Sequence, residues 1–366
     1  MKPYEPRKLP LDDIDWASHV TRIGKANAAL ARYDGILQGI VNPKVLLSPL
    51  TTREAVLSSK IEGTQVSLED VLQYEADIRE PFKAEREMDI HEVLNYRKAM
   101  GHAVNELKDH PLSIDMIRDL HRLLLSDVRG NNRRPGEIRR VQNYIGRPGN
   151  PIEKAIFIPP APAAVPDALS NWELYLHSEE KDPLVQLSLL KAQFELIHPF
   201  SDGNGRIGRM LVPLILYNKK MLSSPMFYIS AYLERNRDIY YERLLGISRD
   251  DDWNGWIAFF LQAIQEQADE NSSKAWSILE LYREMKTRVP EIVPSKHAVY
   301  VIDAIFSRPI FKTSQFVPVA GSNRMAAQRI LHALTENGII EITVEGRGRQ
   351  PTVYSFRQLL DITEKL

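Results

Sequence analysis

HPFSDGNGRIGRM, His198 to Met210, is the stretch on which the fold and chemistry of this chain turn. Before it runs Pro183 to Ile197, in which Leu184, Leu187, Leu190, Phe194 and Ile197 recur at three and four; after it, Met210 to Tyr217 is again apolar. The spacing predicts a helix buried along one side, a glycine-rich turn, and a second helix at the centre of the core, bent at Pro213. Gly203 and Gly205 flank Asn204 in the turn. A bare backbone there can aim several N–H groups into one concavity, and such a nest at a helix N-terminus attracts anions, phosphate above all. His198 is the side-chain type whose ordinary pKa lies near neutrality, and Asp202 offers a hard oxygen to a divalent cation. Arg206 and Arg209, three apart, share one part of a helix surface. Together these residues describe a site for chemistry on a polyphosphate.

The run matches all eight defined positions of HxFx(D/E)GNGRxxR, and the chain thereby resembles the Fic family. Most members with this full motif transfer AMP from ATP to a protein hydroxyl, so the resemblance implies a protein adenylyltransferase that modifies Ser, Thr or Tyr of target proteins and of itself. It implies His198 as catalytic base, Gly203, Asn204, Gly205, Arg206, Ile207, Gly208 and Arg209 as the ATP cradle, and Asp202 as the ligand of Mg²⁺. Phe200 is expected to anchor the loop in the core. Some relatives move phosphocholine, UMP or a phosphate, or remove AMP, and these stay open as alternatives.

Upstream, Thr51 and Glu54 have capping-box spacing and predict a helix start, with Gly63 suited to the position after its end. Glu62 puts a negative charge in the last turn, against the helix dipole. Ser58-Ser59-Lys60-Ile61-Glu62-Gly63 resembles the Fic inhibitory motif (S/T)xxxE(G/N). Ser58 and Glu62 are then inhibitory, Glu62 pairing with Arg209 where the γ-phosphate of ATP would make a charge-assisted contact.

The 366 residues exceed one small core, and 43% hydrophobic and 26% charged content is ordinary for a globular protein. A net charge of -1 gives no global pull toward nucleic acid or anionic membrane. The absence of cysteine excludes disulfides, thiol nucleophiles and thiolate metal sites. No apolar run has the length of a signal peptide or membrane span, so a cytoplasmic protein without membrane contact is expected.

A Pro-rich arm is expected to pack on the surface ahead of a helix from Trp16 to Leu37. Further helices are expected over Leu68 to Asp109 and Ile114 to Leu125, then a basic, Asn-rich loop from Arg129 to Arg134. GEIRRVQNYIG, 136–146, resembles the Fic segment leading to a β-hairpin flap. We place a flap strand at Ala155 to Ile158, where the family aligns the target by strand addition along Ile156 to Ile158; Pro159 and Pro160 end it, and the prolines through Pro166 form a rigid connector. Helices follow over Asp167 to Leu176, Ala231 to Leu245, Trp253 to Ala263 and Glu266 to Arg288. In the second of these Tyr240 is the residue that the resemblance sets against the nucleotide, an aromatic with a polar tip.

Pro290 and Pro294 mark a boundary. Beyond it, helices at His297 to Phe306, Lys312 to Val317 and Ser322 to Thr335 precede strands at Ile339 to Val344 and Thr352 to Phe356, the order of a winged helix. Arg324, Gln328 and Arg329 on the third helix and Arg347 and Arg349 at the wing tip offer a phosphate-contacting surface. Nine Lys or Arg against seven Asp or Glu from Glu291 onward is barely basic, and such units also dock proteins. A rival reading is therefore a transcription regulator in which the Fic unit only senses nucleotide. The expected fold is mainly α: an N-terminal helical region at 1–100 with the inhibitory helix at about 51–63, a Fic-type helical core with a small β-hairpin flap at 101–288, and a winged-helix α+β unit at 289–366. A homodimer is compatible with this organisation, and no residue requires it.

Overall fold

The computed structural model describes residues 2–40, 42–78, 83–128, 134–146, 149–293, 295–318, 324–346 and 351–365. Most of Arg129 to Arg134, Pro294, the cap at Ser322 and the wing-tip residues Arg347 and Arg349 fall outside these residues.

At the centre lie α8 (Pro183–Ile197) and α9 (Asn204–Asn218). Asp182 starts α8 by accepting the N–H groups of Leu184 and Val185 at 2.9 and 3.0 Å, and Pro183, with no N–H to lose, takes the first position. The period predicted one buried side for α8, but nearly every residue is buried. Helices cover it from several directions: α1 (Trp16–Gln38), α7 (Val165–His177), α9 and α12 (Trp253–Ile292). Two tryptophan indoles reach its backbone, Trp172 donating to the Leu190 carbonyl and Trp256 to that of Ser188, each at 2.8 Å. Pro213 sits inside α9.

The helix α12 is continuous where the sequence suggested two helices and a stop at Pro290. Its buried stripe runs from Trp253 through Phe260, Ile264, Ile278 and Met285 to Val289, so packing on one face carries the proline in the last turn. Helix α1 runs beside it in the same direction: the Asp15 N–H meets Asn254 Oδ1 at 2.9 Å and Arg32 meets Asp269 at 2.8 Å. The proline-rich arm goes deeper than expected, because Leu9, Leu11 and Ile14 enter the core and Asn171 takes both backbone groups of Leu9 at 2.9 Å.

A short α2 (Pro43–Leu46) precedes α3 (Ser48–Ile61), which begins three residues before Thr51 because Pro49 suits a first turn. Thr51 and Glu54 therefore lie inside α3 and form no capping box. Glu54 is buried and accepts from Ser230 N at 3.0 Å and Ser230 Oγ at 2.6 Å. The expected long helix after Leu68 divides into α4 (Leu68–Glu75), closed by a true capping box at Ser67 and Asp70, and α5 (Ala84–Glu106). α6 (Ile114–Leu124) matches its period. The expected flap strand reduces to one antiparallel bridge, Ile145 with Phe157. After it Pro162–Ala164 makes a single 3₁₀ turn and Pro166 lies in the first turn of α7, so the connector is shorter than expected. Ala231 to Leu245 divides at Asn236 into α10 (Ser230–Arg235) and α11 (Arg237–Asp250).

The chain ends in α13 (Ser295–Ser307), β1 (Ile310–Lys312), α14 (Thr313–Phe316), α15 (Arg324–Glu336), β2 (Glu341–Val344), β3 (Val353–Ser355) and α16 (Arg357–Glu364). The three expected helices and the hairpin are present; β1 and α16 are additions. β1 closes an antiparallel sheet in the order β1-β3-β2, Phe311 and Ile342 both facing Tyr354. This end packs on the segment around α3 and α4: Lys312 bonds Asp77, and Leu68, Leu72 and Ala76 share a small apolar cluster with Ile310, Val353 and Leu360. No helix among the described residues is long and apolar enough to cross a membrane.

Candidate active site

The last turn of α8 delivers His198 in the left-handed region, φ 51° and ψ 60°, which costs a non-glycine residue about 1–2 kcal/mol. Three contacts hold it there. Its N–H donates to Phe194 O at 3.1 Å, its carbonyl accepts from Arg139 Nε at 2.8 Å, and its ring Nδ1 lies 3.3 Å from Glu195 O. A carbonyl can only accept, so Nδ1 carries the proton and Nε2 keeps a lone pair. Burial pushes the imidazole pKa below its ordinary value, with the neighbouring Glu195 opposing this, so the ring is neutral at pH 7.

Between His198 and α9 the loop is closed by Asn204, whose Oδ1 accepts from Phe200 N at 2.9 Å and whose Nδ2 donates to Phe200 O at 2.8 Å. Its amide is thus engaged in shaping the loop. Phe200 does anchor the loop: its ring stacks on His121 at 3.8 Å, 6° from parallel. His121, on the buried face of α6, accepts the Gly136 N–H on Nδ1 at 2.8 Å and donates from Nε2 to Asp202 O at 3.0 Å. Gly203 begins α9 at φ 74° against this ring.

Burial pushes the His121 pKa down to about 4. Unfolded, it titrates near 6.5, so the unfolded chain takes up the proton first and the native state loses stability as pH falls from about 6.5 toward 4. The shift corresponds to up to about 3 kcal/mol. Urea unfolding at pH 7, 5.5 and 4.5 should therefore fall more steeply in wild type than in His121→Gln; parallel slopes would rule the assignment out.

Asp202 turns its carboxylate outward, the side chain 41% exposed, with Arg206 Nη2 at 3.7 Å. Among the described residues no three acidic or histidine side chains gather as a metal cage. Arg206 is buried and paired at 2.8 Å with Glu92 of α5, a carboxylate the sequence reading did not single out. Arg209, 1% exposed, is strapped to α3: Nε donates to Ser58 Oγ at 2.9 Å, and Nη2 to Ser58 O at 2.8 Å and to Glu62 Oε1 at 2.6 Å. Burial alone would raise the Glu62 pKa, but the charge and hydrogen bond of Arg209 outweigh it and hold the carboxyl below its usual range. A Cβ built on Gly205 would run into Glu62 Oε1. The first turn of α9, where no side chain caps the helix among the described residues, is thus covered by the Glu62 carboxylate.

Ile207 and Gly208 are buried on α9, and a Cβ on Gly208 would strike Glu195. Glu195 pairs with the fully buried Lys191 at 2.5 Å, and Lys191 also donates to Tyr240 OH at 3.1 Å. Tyr240 itself is 1% exposed, packed on Trp256 and Phe259, so its hydroxyl faces this interior pair. The ring open to solvent is its neighbour Tyr241, with the Arg237 guanidinium 5.9 Å above it, and Arg237 also donates to Ile61 O at 2.7 Å. On the flap, Ile156 is half exposed while Phe157 and Ile158 are buried, the Ile158 carbonyl taking the N–H of Tyr4 at 2.8 Å.

This geometry can be set beside known proteins. The Fic/DOC N-terminal family model matches residues 20–105 and the Fic/DOC family model residues 111–216, together just over half of the chain. The chain belongs to the Fic/DOC family. It is 34% identical over 110 residues to protein adenylyltransferase fic-1 of Caenorhabditis briggsae, a stretch that is 29% of this chain and 20% of that protein. It is 35% identical over 85 residues, 23% of this chain and 27% of the other, to a probable protein adenylyltransferase of Aquifex aeolicus. The matched part thus spans about a fifth to a quarter of the length of these relatives. The solved structure of a Fic family protein from Desulfovibrio desulfuricans G20 superposes with TM-score 0.59 at 22% identity, covering 96% of this chain and 98% of that one. The fold of that whole protein, and not only of its Fic unit, is therefore shared over nearly the whole chain.

Proposed function

We propose that this chain is a protein adenylyltransferase that moves AMP from ATP to a Ser, Thr or Tyr hydroxyl of target proteins and of itself, and that Glu62 holds it off. The observation that carries the reading is the 3.3 Å approach of His198 Nδ1 to Glu195 O, from which we infer a proton on Nδ1 and an acceptor at Nε2, on the loop that leads into α9. The phosphates of ATP would lie over the backbone N–H groups of Gly203 to Gly205, with Arg206 and Arg209 balancing charge and Arg209 reserved for the γ-phosphate. The target oxygen would attack the α-phosphorus in line as Nε2 accepts its proton; the bond to the β-phosphate oxygen breaks and pyrophosphate departs. The target would lie along the flap around Ile156 to Ile158.

A single outward carboxylate, Asp202, would hold Mg²⁺, a cation that takes few protein ligands, and the ion would supply neutralisation of phosphate charge. Asp202→Asn should raise the Mg²⁺ concentration needed for half-maximal labelling by about tenfold or more, and chelation should stop labelling until Mg²⁺ is restored. An unchanged Mg²⁺ requirement in the variant would sink this role.

Incubation of the purified protein, wild type and Glu62→Gly, with Mg²⁺ and ATP tests the whole reading. An added AMP mass on the protein or on lysate proteins is the expected result; its absence from both overturns it.

For the C-terminal unit, which we take as a winged helix over 289–366, Arg324, Gln328 and Arg329 are exposed on α15. This favours a second reading as a nucleotide-sensing regulator, which predicts a salt-sensitive shift of a defined DNA site.

A further inference from the structure

Arg139 is an arginine buried to 3% exposure without a carboxylate partner among the described residues. Its guanidinium faces carbonyls instead: Nε donates to His198 O at 2.8 Å, Nη2 to Pro160 O at 2.5 Å and Ile197 O at 3.4 Å, and Nη1 to Val141 O at 3.4 Å. Its backbone N–H donates to Pro199 O at 2.9 Å. These acceptors belong to two parts of the molecule. Ile197, His198 and Pro199 form the end of α8 and the start of the loop, whereas Val141 and Pro160 flank the bridge between Ile145 and Phe157.

A planar fork with several donors can join four carbonyls, and a lysine ammonium with one nitrogen cannot. The negative end of the α8 dipole favours a cation here without a carboxylate. Burial lowers the Arg139 pKa to about 10, which leaves it charged at neutral pH.

We propose that Arg139 is a positioning residue for AMP transfer, fixing His198 in its left-handed conformation and tying the flap to the same point, so that base and target are held in one register. The inference rests on the adenylyl-transfer reading with His198 as base. His121 grips the far end of the loop at Asp202 O, so Arg139 and His121 pin its two ends. A reacting oxygen presented by the flap and a base presented by the loop can meet only if their frames are fixed to each other, and displacements of about 1 Å at such a junction cost about a hundredfold in rate.

The test uses the full chain in a Glu62→Gly background, with ATP as the probe and self-labelling as the readout. Arg139→Gln should slow single-turnover labelling by about a hundredfold, leave ATP binding by calorimetry within about twofold, and move the acid limb of the rate to higher pH. That last shift follows because the Arg139 charge helps to hold the His198 pKa down; retained ATP binding and an unchanged melting temperature separate it from the rise that exposing the buried ring would also cause. Arg139→Lys keeps the charge but loses the fork: labelling should slow by about tenfold with the acid limb unmoved. Parent-like rates in both variants, or a parallel loss of ATP binding and labelling, would overturn the proposal. If Arg139→Gln does not fold, Arg139→Lys decides alone by its rate. If the Glu62→Gly parent labels neither itself nor lysate proteins, the functional reading fails, and NMR of the His198 and Ile156 backbone amides still tests the positioning: their chemical shifts should move together in Arg139→Gln and in Arg139→Lys, and unmoved shifts in both would overturn it.

Discussion

Glu62→Gly should raise AMP incorporation at sub-saturating Mg-ATP by roughly 30- to 150-fold. Arg209 is the cation that a γ-phosphate would need, and Glu62 Oε1 occupies it at 2.6 Å while covering the first turn of α9 over Gly205. On the proposed reading an anion would seat only in molecules whose Glu62 has left. Arg209 is fully buried but the Glu62 side chain is 36% exposed, so the pair is worth less than a fully desolvated one, roughly 2–3 kcal/mol to open. The competent fraction is then about one in 30 to one in 150, and apparent affinity falls by that fraction. Because Ser58 holds Arg209 through both Oγ and O, the guanidinium stays aimed when the carboxylate is gone. Glu62→Gln separates charge from bulk: it keeps the cover over Gly205 and loses the ion pair, so it should fall between wild type and glycine. The Glu62 pKa is depressed, so the carboxylate, and with it the proposed inhibition, should hold throughout the usual carboxylate range and above and be lost only as pH falls through the lowered value. Glu62→Gly should also melt lower, with an uncompensated buried Arg209, and regain stability in Mg-ATP. If Glu62→Gly labels no faster and binds ATP no tighter than wild type, Glu62 is not the barrier.

The parts of this site that could be read from sequence are those whose partners lie close along the chain. His198, Asp202 and the two arginines share one run, and the glycines that shape it sit between them. The meeting of Glu62 with Arg209 came from resemblance, and the structure brings the two together across 147 positions of sequence. Arg139 was not legible. Its partners are backbone carbonyls, which every residue has, so nothing in GEIRRVQ separates it from the exposed Arg140. Glu92 and His121 did leave a trace, since each falls on the buried period of its helix, Glu92 with Asp89, Val93 and Tyr96 and His121 with Ile117, Leu120 and Leu124. A charged or polar residue at such a position needs a partner. β1 was missed because three residues pairing with a strand some forty positions later carry no local periodicity. Pro290 misled because a proline in the last turn of a long helix gives up little when the face beneath it is packed.

His198→Ala in the Glu62→Gly background should lower the single-turnover labelling rate by about 10²- to 10⁴-fold, the range over which a positioned base acts, while ATP binds as before. The separation follows from where the contacts lie. The phosphates would be held by α9 and its arginines, whereas the His198 Nδ1 lies against Glu195 O at the end of α8, which leaves Nε2 for an attacking hydroxyl. Alanine at φ 51° pays at least the backbone penalty of histidine, and of the three contacts that hold this conformation only the ring contact is lost, the main-chain bonds to Phe194 and Arg139 remaining. The loop should therefore keep its path, and a melting temperature close to that of the parent checks this. The pH profile supplies the second measurement. Because burial lowers the His198 pKa, the base form is present across neutral pH and is lost only as pH falls through a value below 6.5. The parent should thus show a flat rate near neutrality and an acid limb below 6.5, and His198→Ala should lose that limb along with the rate. An undiminished rate, or an acid limb that survives the substitution, would move the role of base to another group.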